Sequence, residues 1–358
     1  MEQDNLLTNI KFEGRKSNFE LLRLVAQYLI VFYHLLLIYI VPFNNAPLFK
    51  ALELPAHIGV ILFVLLSGYF GIKPSSKGFL KLLSIFLIYS LPEICFNVSA
   101  ARDIKDIIKS LLFFSHSHFW FIRTYVYLYL LSPVINFYLK SATVRQRWFI
   151  LLSLFFISIY IGTVGGDITL IDGKNVVNFI FLYIVGNTLL YYKAFFEKIS
   201  INILILFFLL LNLALVIAYS VLAENLLGSI VWRLSFPYSS PLLLCNSIIF
   251  FLIFSKINIQ SKAINWMAKS SLAIYLIHSN RPLFIDWDGF TVNPDGGVIG
   301  FFMQQCKICA SNDFILCILL LFTALIIISI AISIDKLLSP LWQSGNRQFD
   351  RIYNFLGF

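Results

Sequence analysis

Arg23 and His34 stand inside "LLRLVAQYLIVFYHLLLIYIV", a run otherwise apolar enough and long enough to cross a bilayer. Ionisable side chains in hydrocarbon are costly and mark functional positions, so their chemistry has to be asked about first. They are eleven positions apart, close to three turns at about 100° per residue, and therefore project from one helix face. At about 1.5 Å per residue they are separated by roughly 16 Å along the axis. An arginine suits a phosphate, and a histidine neutral at working pH suits a general base or a nucleophile. Glu20, three positions before Arg23, is placed to neutralise and orient the guanidinium. The bland reading is a snorkelling Arg23 and a His34 hydrogen-bonded to a neighbouring helix, which leaves the shared face unexplained.

Other polar residues sit at apolar-run ends. "HIGVILFVLLSGYFGIKP" closes on Ser67, Gly68 and Lys73: the small pair permits close helix approach, and Lys73 is expected at the level of Arg23. Two cations at a narrow groove suit a phosphorylated ligand, although a lone Lys73 is also an ordinary topology marker. "HSHFWFIRTYVYLYLLSP" carries His116, His118, Trp120 and Arg123; an aromatic belt explains Trp120 but not Arg123, which needs a partner or a polar cavity. Glu93 in "SLPEICF" is a candidate counter-ion, and His278 with Arg281 in "SSLAIYLIHSNRP" approaches the same side. His34, His118, Arg123 and His278 are thus candidates for one cavity wall. Five scattered cysteines include only one close pair, "CKIC", and without a second pair they read as thiols rather than a metal site.

These residues belong to a polytopic membrane protein. The 358 residues are 59% hydrophobic and 17% aromatic, with 13% charged and a mean hydropathy of +0.84. Apolar windows predict an all-α chain of about ten transmembrane helices, roughly 19–42, 56–72, 79–98, 117–138, 148–164, 175–192, 199–222, 238–254, 266–285 and 314–334. The net charge of +9 points to topology rather than nucleic acid, because Lys and Arg gather in alternate loops, such as Lys11, Arg15 and Lys16 or Lys140, Arg145 and Arg147. The other loops, "ARDIKDIIK", "GGDITLIDGK" and "IDWDGFTVNPDGG", mix acids with fewer bases, which puts both termini in the cytoplasm. The N-terminal segment lacks a cleavable signal pattern, and about twenty residues after Lys336 are too few for an appended soluble domain. One integral membrane domain over 1–358 is expected. The longest exterior stretch, near 286–313, reads as a solvated loop or as a lid over an acceptor.

Four segments carry a family resemblance. "NFELLRLVAQYLIVFYH" resembles the Arg-x10-His signature of the acyltransferase 3 family, and "LFVLLSGYFGIKP", "HFWFIRTYVYLYLLSPVI" and "SLAIYLIH" are similar to its further blocks, in order, from about 17 to 340. The resemblance implies a bacterial cytoplasmic-membrane protein that moves an acyl group from cytoplasmic acetyl-CoA to a hydroxyl of an extracytoplasmic polysaccharide or lipid-linked glycan. It makes Arg23 and His34 the signature pair. Joined to the reading of the residues above, the expected catalytic set is His34, Arg23 and Glu20, with Arg23, Ser67 and Lys73 toward the donor and His118, Trp120, Arg123 and His278 toward the acceptor. No metal and no nucleic acid are expected; the partners are the glycan acceptor and the bilayer. Lys73 stands where the family block often ends in arginine, and Ile122 where it has leucine. His34 as base and His34 as acyl-carrying nucleophile both remain open. Rivals from other classes are a glycan or lipid transporter, which calls for paired broken helices absent from this sequence, and a non-catalytic assembly subunit indifferent to Arg23 and His34.

Overall fold

Apolar segments fold as helices where no water can satisfy the backbone, because a helix closes its hydrogen bonds within one segment. The computed structural model describes residues 15–37, 47–99, 101, 103–112, 119–222, 226–280, 286–287, 292–293 and 297–355, and is helical apart from one minimal hairpin. The first helices are α1 (Ser17–Leu35), α2 (Pro47–Ala56), α3 (Gly59–Phe70), α4 (Ser76–Ser99), α5 (Ile104–Leu111), α6 (Trp120–Ser141) and α7 (Val144–Phe155), which a π-helical stretch extends through Val164. Then come α8 (Val176–Tyr191), α9 (Lys193–Phe196), α10 (Ile201–Leu222), α11 (Leu226–Ser235), α12 (Pro241–Ser255), α13 (Lys262–Met267) and α14 (Ser271–His278). Strands β1 (Asp286–Trp287) and β2 (Val292–Asn293) pair antiparallel ahead of α15 (Gly297–Cys309) and α16 (Asp313–Phe355).

Among the described residues, five helical segments are long and apolar enough to cross a membrane: Leu48–Phe70, Ser76–Ser99, Val144–Val164, Ile201–Leu222 and Asp313–Leu341. Val176–Tyr191 and Pro241–Ser255 are shorter apolar helices. Much of this apolar surface is bare. Only 11% of the best window of α10 is buried, with Leu206, Phe207, Leu209 and Leu213 all more than half exposed, and α16 likewise presents Phe314, Phe322 and Ile326. Surface of that kind is stable only against hydrocarbon, so the chain is a multi-pass membrane protein.

Capping fixes several helix starts. Thr143 and Gln146 form a reciprocal capping box at α7, Asn175 caps α8, and Ser240 caps α12 ahead of Pro241 at the first turn. Two segments expected to be loops are helical. In "IKDIIKSL", Ile104, Ile108 and Leu112 recur every four residues as an exposed apolar stripe on α5, the pattern of a helix lying at an interface. In "GVIGFFMQQCKIC" the buried pair Ile299 and Met303 has the same spacing and packs α15 against α16. Their charges and glycines suggested loops; the i,i+4 apolar pairs decide for helix.

The residues group into two compact units. One comprises Met1–Ala26, His57–Ile72 and Ser141–Lys269; the other comprises Gln27–Ala56, Lys73–Lys140 and Ser270–Phe358. α1 contributes to both, passing from the first to the second after Ala26.

In the first unit the most extensive helix contact joins α3 and α8. A Cβ on Gly68 would collide with the Tyr183 carbonyl, and one on Gly186 with the Leu65 carbonyl, so the two backbones touch through reciprocal glycines. The Tyr183 hydroxyl also accepts the Ile72 N–H at 2.9 Å, which holds the end of α3. The small pair in "SGYF" therefore does what its composition predicts. Gly68→Ala and Gly186→Ala are each expected to destabilise the protein by about 1–3 kcal/mol through overpacking. Thermal unfolding in detergent reads this as a lowered midpoint, and unchanged midpoints for both variants would contradict so close an approach.

Candidate functional site

Arg23 belongs to a small ionic cluster in the first unit. Arg23 Nη1 donates to both Glu20 oxygens, at 3.2 and 3.0 Å, and Arg15 Nη1 donates to Glu20 Oε2 at 3.3 Å. One carboxylate therefore serves two guanidiniums and the trio keeps a positive charge. Arg23 is 29% exposed and its fork still has N–H groups to offer a ligand. Lys16 adds to the field: burial first, and Lys193 second, push its ammonium below the ordinary lysine value. Lys193 is ion-paired with Glu197 at 3.2 Å. Sequence spacing identified the Glu20–Arg23 pair, whereas nothing in the segment around Lys193 marks it as a neighbour of Lys16.

Asn18 and Ser17 hold the start of α1 in that unit. Asn18 donates to the Phe254 carbonyl at 3.0 Å, and the Ser17 hydroxyl accepts the Ser261 N–H at 2.9 Å. Ser67 donates to the Phe63 carbonyl of its own helix at 2.9 Å. Lys73 is exposed in the stretch that follows α3.

The second unit contains His34. Gln27 Nε2 donates to the Ser271 carbonyl at 2.7 Å, and seven residues further along both helices His34 Nδ1 lies 3.1 Å from His278 Nε2. The equal advance means that α1 and α14 run side by side in the same direction over about two turns. The two imidazole centroids are 5.2 Å apart with planes inclined by 31°. His278, 1% exposed, also places Nδ1 2.7 Å from the Ile274 carbonyl, and the Ser279 hydroxyl is 3.2 Å from Nε2. His34 is half-buried, so the pair has one sealed and one accessible member.

Aromatic rings wall the buried histidine. Tyr275 lies edge-on to His278 at 5.9 Å, Phe121 packs on Tyr275 at 5.4 Å, and Phe119 bridges Tyr275 to Phe86. α6 thus brings "FWF" to the site mainly as packing. Trp120 and Arg123 are half-buried on the same helix, and Glu93 is buried on α4. His116, His118 and Arg281 lie outside the described residues.

A second polar connection in this unit escaped sequence reading. The Tyr89 hydroxyl donates to Asp335 Oδ1 at 2.6 Å, and Asn280, two residues past His278, donates to the Tyr89 carbonyl at 2.9 Å. Asp335 is only 5% exposed, although its place beside Lys336 made it look like the end of a span. The signal was an acidic residue inside "IISIAISIDKLLSPLW", where a buried carboxylate needs a donor from another helix. Among the described residues no group of three or more metal-ligating side chains occurs, and the five cysteines are free thiols.

The basic cluster and the histidine pair, one in each unit, both draw on α1 of a multi-pass membrane chain. The chain matches the acyltransferase domain of the acyltransferase 3 family over residues 16–334, and it belongs to that family; it is a membrane acyltransferase. No curated protein and no solved structure matches it.

Tyr89→Phe removes the hydroxyl donor from a buried carboxylate and is expected to cost about 1–3 kcal/mol. Asp335→Asn keeps an acceptor for Tyr89 and should cost less. Thermal midpoints in detergent check the order, and a smaller loss for Tyr89→Phe than for Asp335→Asn would refute the assigned bond.

Proposed function

We propose that the protein transfers an acetyl group from acetyl-CoA, entering from the cytoplasm, to a hydroxyl of a polysaccharide or lipid-linked glycan outside a bacterial cytoplasmic membrane. The observation that carries this reading is the His34–His278 contact at 3.1 Å on the same helix as the Arg23–Glu20 pair. α1 is continuous from Ser17 to Leu35, so its rise of about 1.5 Å per residue sets Arg23 and His34 about 16 Å apart along its axis. A pantetheine arm is of that order. The phosphates of the donor then lie by Arg23, Arg15 and Lys16, and the thioester lies by His34.

In this reading the five long apolar helices, the two shorter ones and the segments around α1, α6 and α14 are counted as ten crossings, an even number that agrees with both termini on the cytoplasmic side. The parallel run of α1 and α14 supports an odd number of crossings between them, which the seven intervening predicted spans satisfy.

In the proposed step His34 Nε2 takes the proton from the sugar hydroxyl. The oxygen electron pair forms the new C–O bond to the thioester carbonyl carbon. The C–S bond breaks with its electron pair on sulfur, and the CoA thiolate takes the proton back from His34. Ester and CoA thiol are the only products, and His34 ends as it began. Arg123 is a candidate donor to the oxyanion, held half-buried on α6.

His34→Ala is expected to lower acyl transfer by at least about a hundredfold at unchanged protein level. NMR of the surface glycan from a strain carrying the variant, compared with the parent and a deletion strain, reads the loss and identifies acyl group and acceptor together. Acylation at parental levels would end the catalytic assignment.

A further inference from the structure

We propose that His278 is the positioning residue of His34, fixing its tautomer and receiving its second proton, and is not a contact for the glycan. The proposal rests on the acyl-transfer reading above and assigns His278 a role within it. Both ring nitrogens of His278 are engaged in a site it shares with no solvent, at 1% exposure. A ligand contact would need at least one of them.

The hydrogen-bond directions follow from one fixed acceptor. The Ile274 carbonyl can only accept, so His278 Nδ1, 2.7 Å away, carries a hydrogen. In a neutral His278 the other nitrogen, Nε2, then has a lone pair. His34 Nδ1, 3.1 Å away, donates to that lone pair, and the Ser279 hydroxyl lies 3.2 Å from the same nitrogen. His34 is thereby held with its hydrogen on Nδ1 and its lone pair on Nε2, the nitrogen facing away from His278. That is the tautomer a base needs.

The same line of atoms carries a proton. When His34 Nε2 accepts a proton from the sugar hydroxyl, the hydrogen on His34 Nδ1 can cross 3.1 Å to His278 Nε2. His34 is then neutral, with its hydrogen on Nε2, and His278 is the imidazolium, held by Ile274 at the last turn of α14, where helix carbonyls favour a cation. The return movement restores the hydrogen to His34 Nδ1 as Nε2 protonates the CoA thiolate. No atom is gained or lost. Ionisable residues on the elements packed around His278 include Tyr275 on α14, Tyr28 and Tyr33 on α1, Tyr89 and Glu93 on α4, Arg123 and Tyr125 on α6, and Asp335 on α16. Of these, Asp335 is bonded to Tyr89.

The arrangement parallels a serine-protease histidine held by a buried acceptor, with an imidazole in the place of the carboxylate. The helix register makes it durable. Gln27 and Ser271 fix the two helices one step below, so the imidazoles do not depend on each other alone for alignment.

The test has two arms on the full-length protein in detergent. In the first, 15N-histidine labelling reads tautomers at neutral pH in wild type, His278→Gln and His34→Gln. The expected result is His34 with its hydrogen on Nδ1 in wild type; a hydrogen on Nε2 instead overturns the proposal. In the second, thiol release from acetyl-CoA is measured with glycan extracted from the parent strain. His278→Ala should lower kcat by about 10²–10⁴-fold with KM for acetyl-CoA changed by less than about threefold. His278→Gln, whose amide oxygen can accept from His34 but cannot hold a proton, should regain at least about tenfold and displace the acid limb of the pH profile by about half a unit or more. A pH profile identical to wild type in folded His278→Gln, or wild-type kcat in His278→Ala, overturns the role. A wild-type protein that transfers no acyl group to the glycan counts against the proposed function, and the tautomer arm still decides the histidine pair.

Discussion

Gln27 donates to the Ser271 carbonyl at 2.7 Å, and the placement of His34 follows from that one bond. An amide in an apolar interior must find a partner, and within a membrane such a bond contributes only about 0.6–2 kcal/mol. Its value here is register more than stability. The cohesion of α1 comes from Leu22, Ala26, Ile30 and Val31, all buried, which would tolerate a slide along a neighbouring helix far better than a hydrogen bond does. Gln27 removes that freedom. Tyr28, donating to the Leu321 carbonyl at 3.2 Å, adds a second tie in the same unit, to α16. With two carbonyls specifying its rotation and height, α1 delivers His34 to His278 as a consequence of backbone position.

The opposite end of α1 obeys a different rule. Glu20 is largely buried and its negative charge could not be left alone there, so it takes both Arg15 and Arg23. Two cations on one anion leave a surplus, and Lys16, next to them in the chain, adds to it, while Lys193 is offset by Glu197. Since Arg23 is partly exposed, solvent screens the pair, and its contribution to stability is modest. What the cluster retains is an oriented guanidinium with unused donors, a geometry suited to phosphate oxygens. One helix therefore carries an anion-seeking end and a neutral, proton-handling end.

Local information was readable and long-range information was not. The Glu20–Arg23 pair is an i,i+3 relation on one helix, so spacing alone predicted it. Gly68 was readable because Ser-Gly at a span's end is unusual, yet its partner Gly186 lies in "YIVGNTLL", where one glycine in an apolar run carries no such hint. His34 and His278 were each conspicuous, but their separation of 244 residues hides the contact, and their positions in the sequence suggested only a shared wall. α5 and α15 were hidden by charges and glycines that resemble loop composition. Asp335 was hidden by its neighbour: beside Lys336 a carboxylate reads as a boundary, and only the Tyr89 hydroxyl shows that it is interior.

Why a histidine rather than a carboxylate should stand behind His34 can be argued from desolvation. A buried aspartate supports an imidazolium strongly, but in the resting state it is an anion that hydrogen bonds must stabilise against a low-dielectric surround. The walls here are Tyr275, Phe121, Phe119 and Phe86, which offer few donors. A neutral imidazole holding its own hydrogen toward the Ile274 carbonyl needs no counter-charge at rest, and charge appears only while a proton is in transit. The pair gives up some of the stabilisation a carboxylate would supply. In exchange it remains neutral in an apolar wall, where an ionic triad would require further buried partners. Asp335, by contrast, remains buried because Tyr89 donates to it, and that hydroxyl is thus committed to α16 rather than to the histidines.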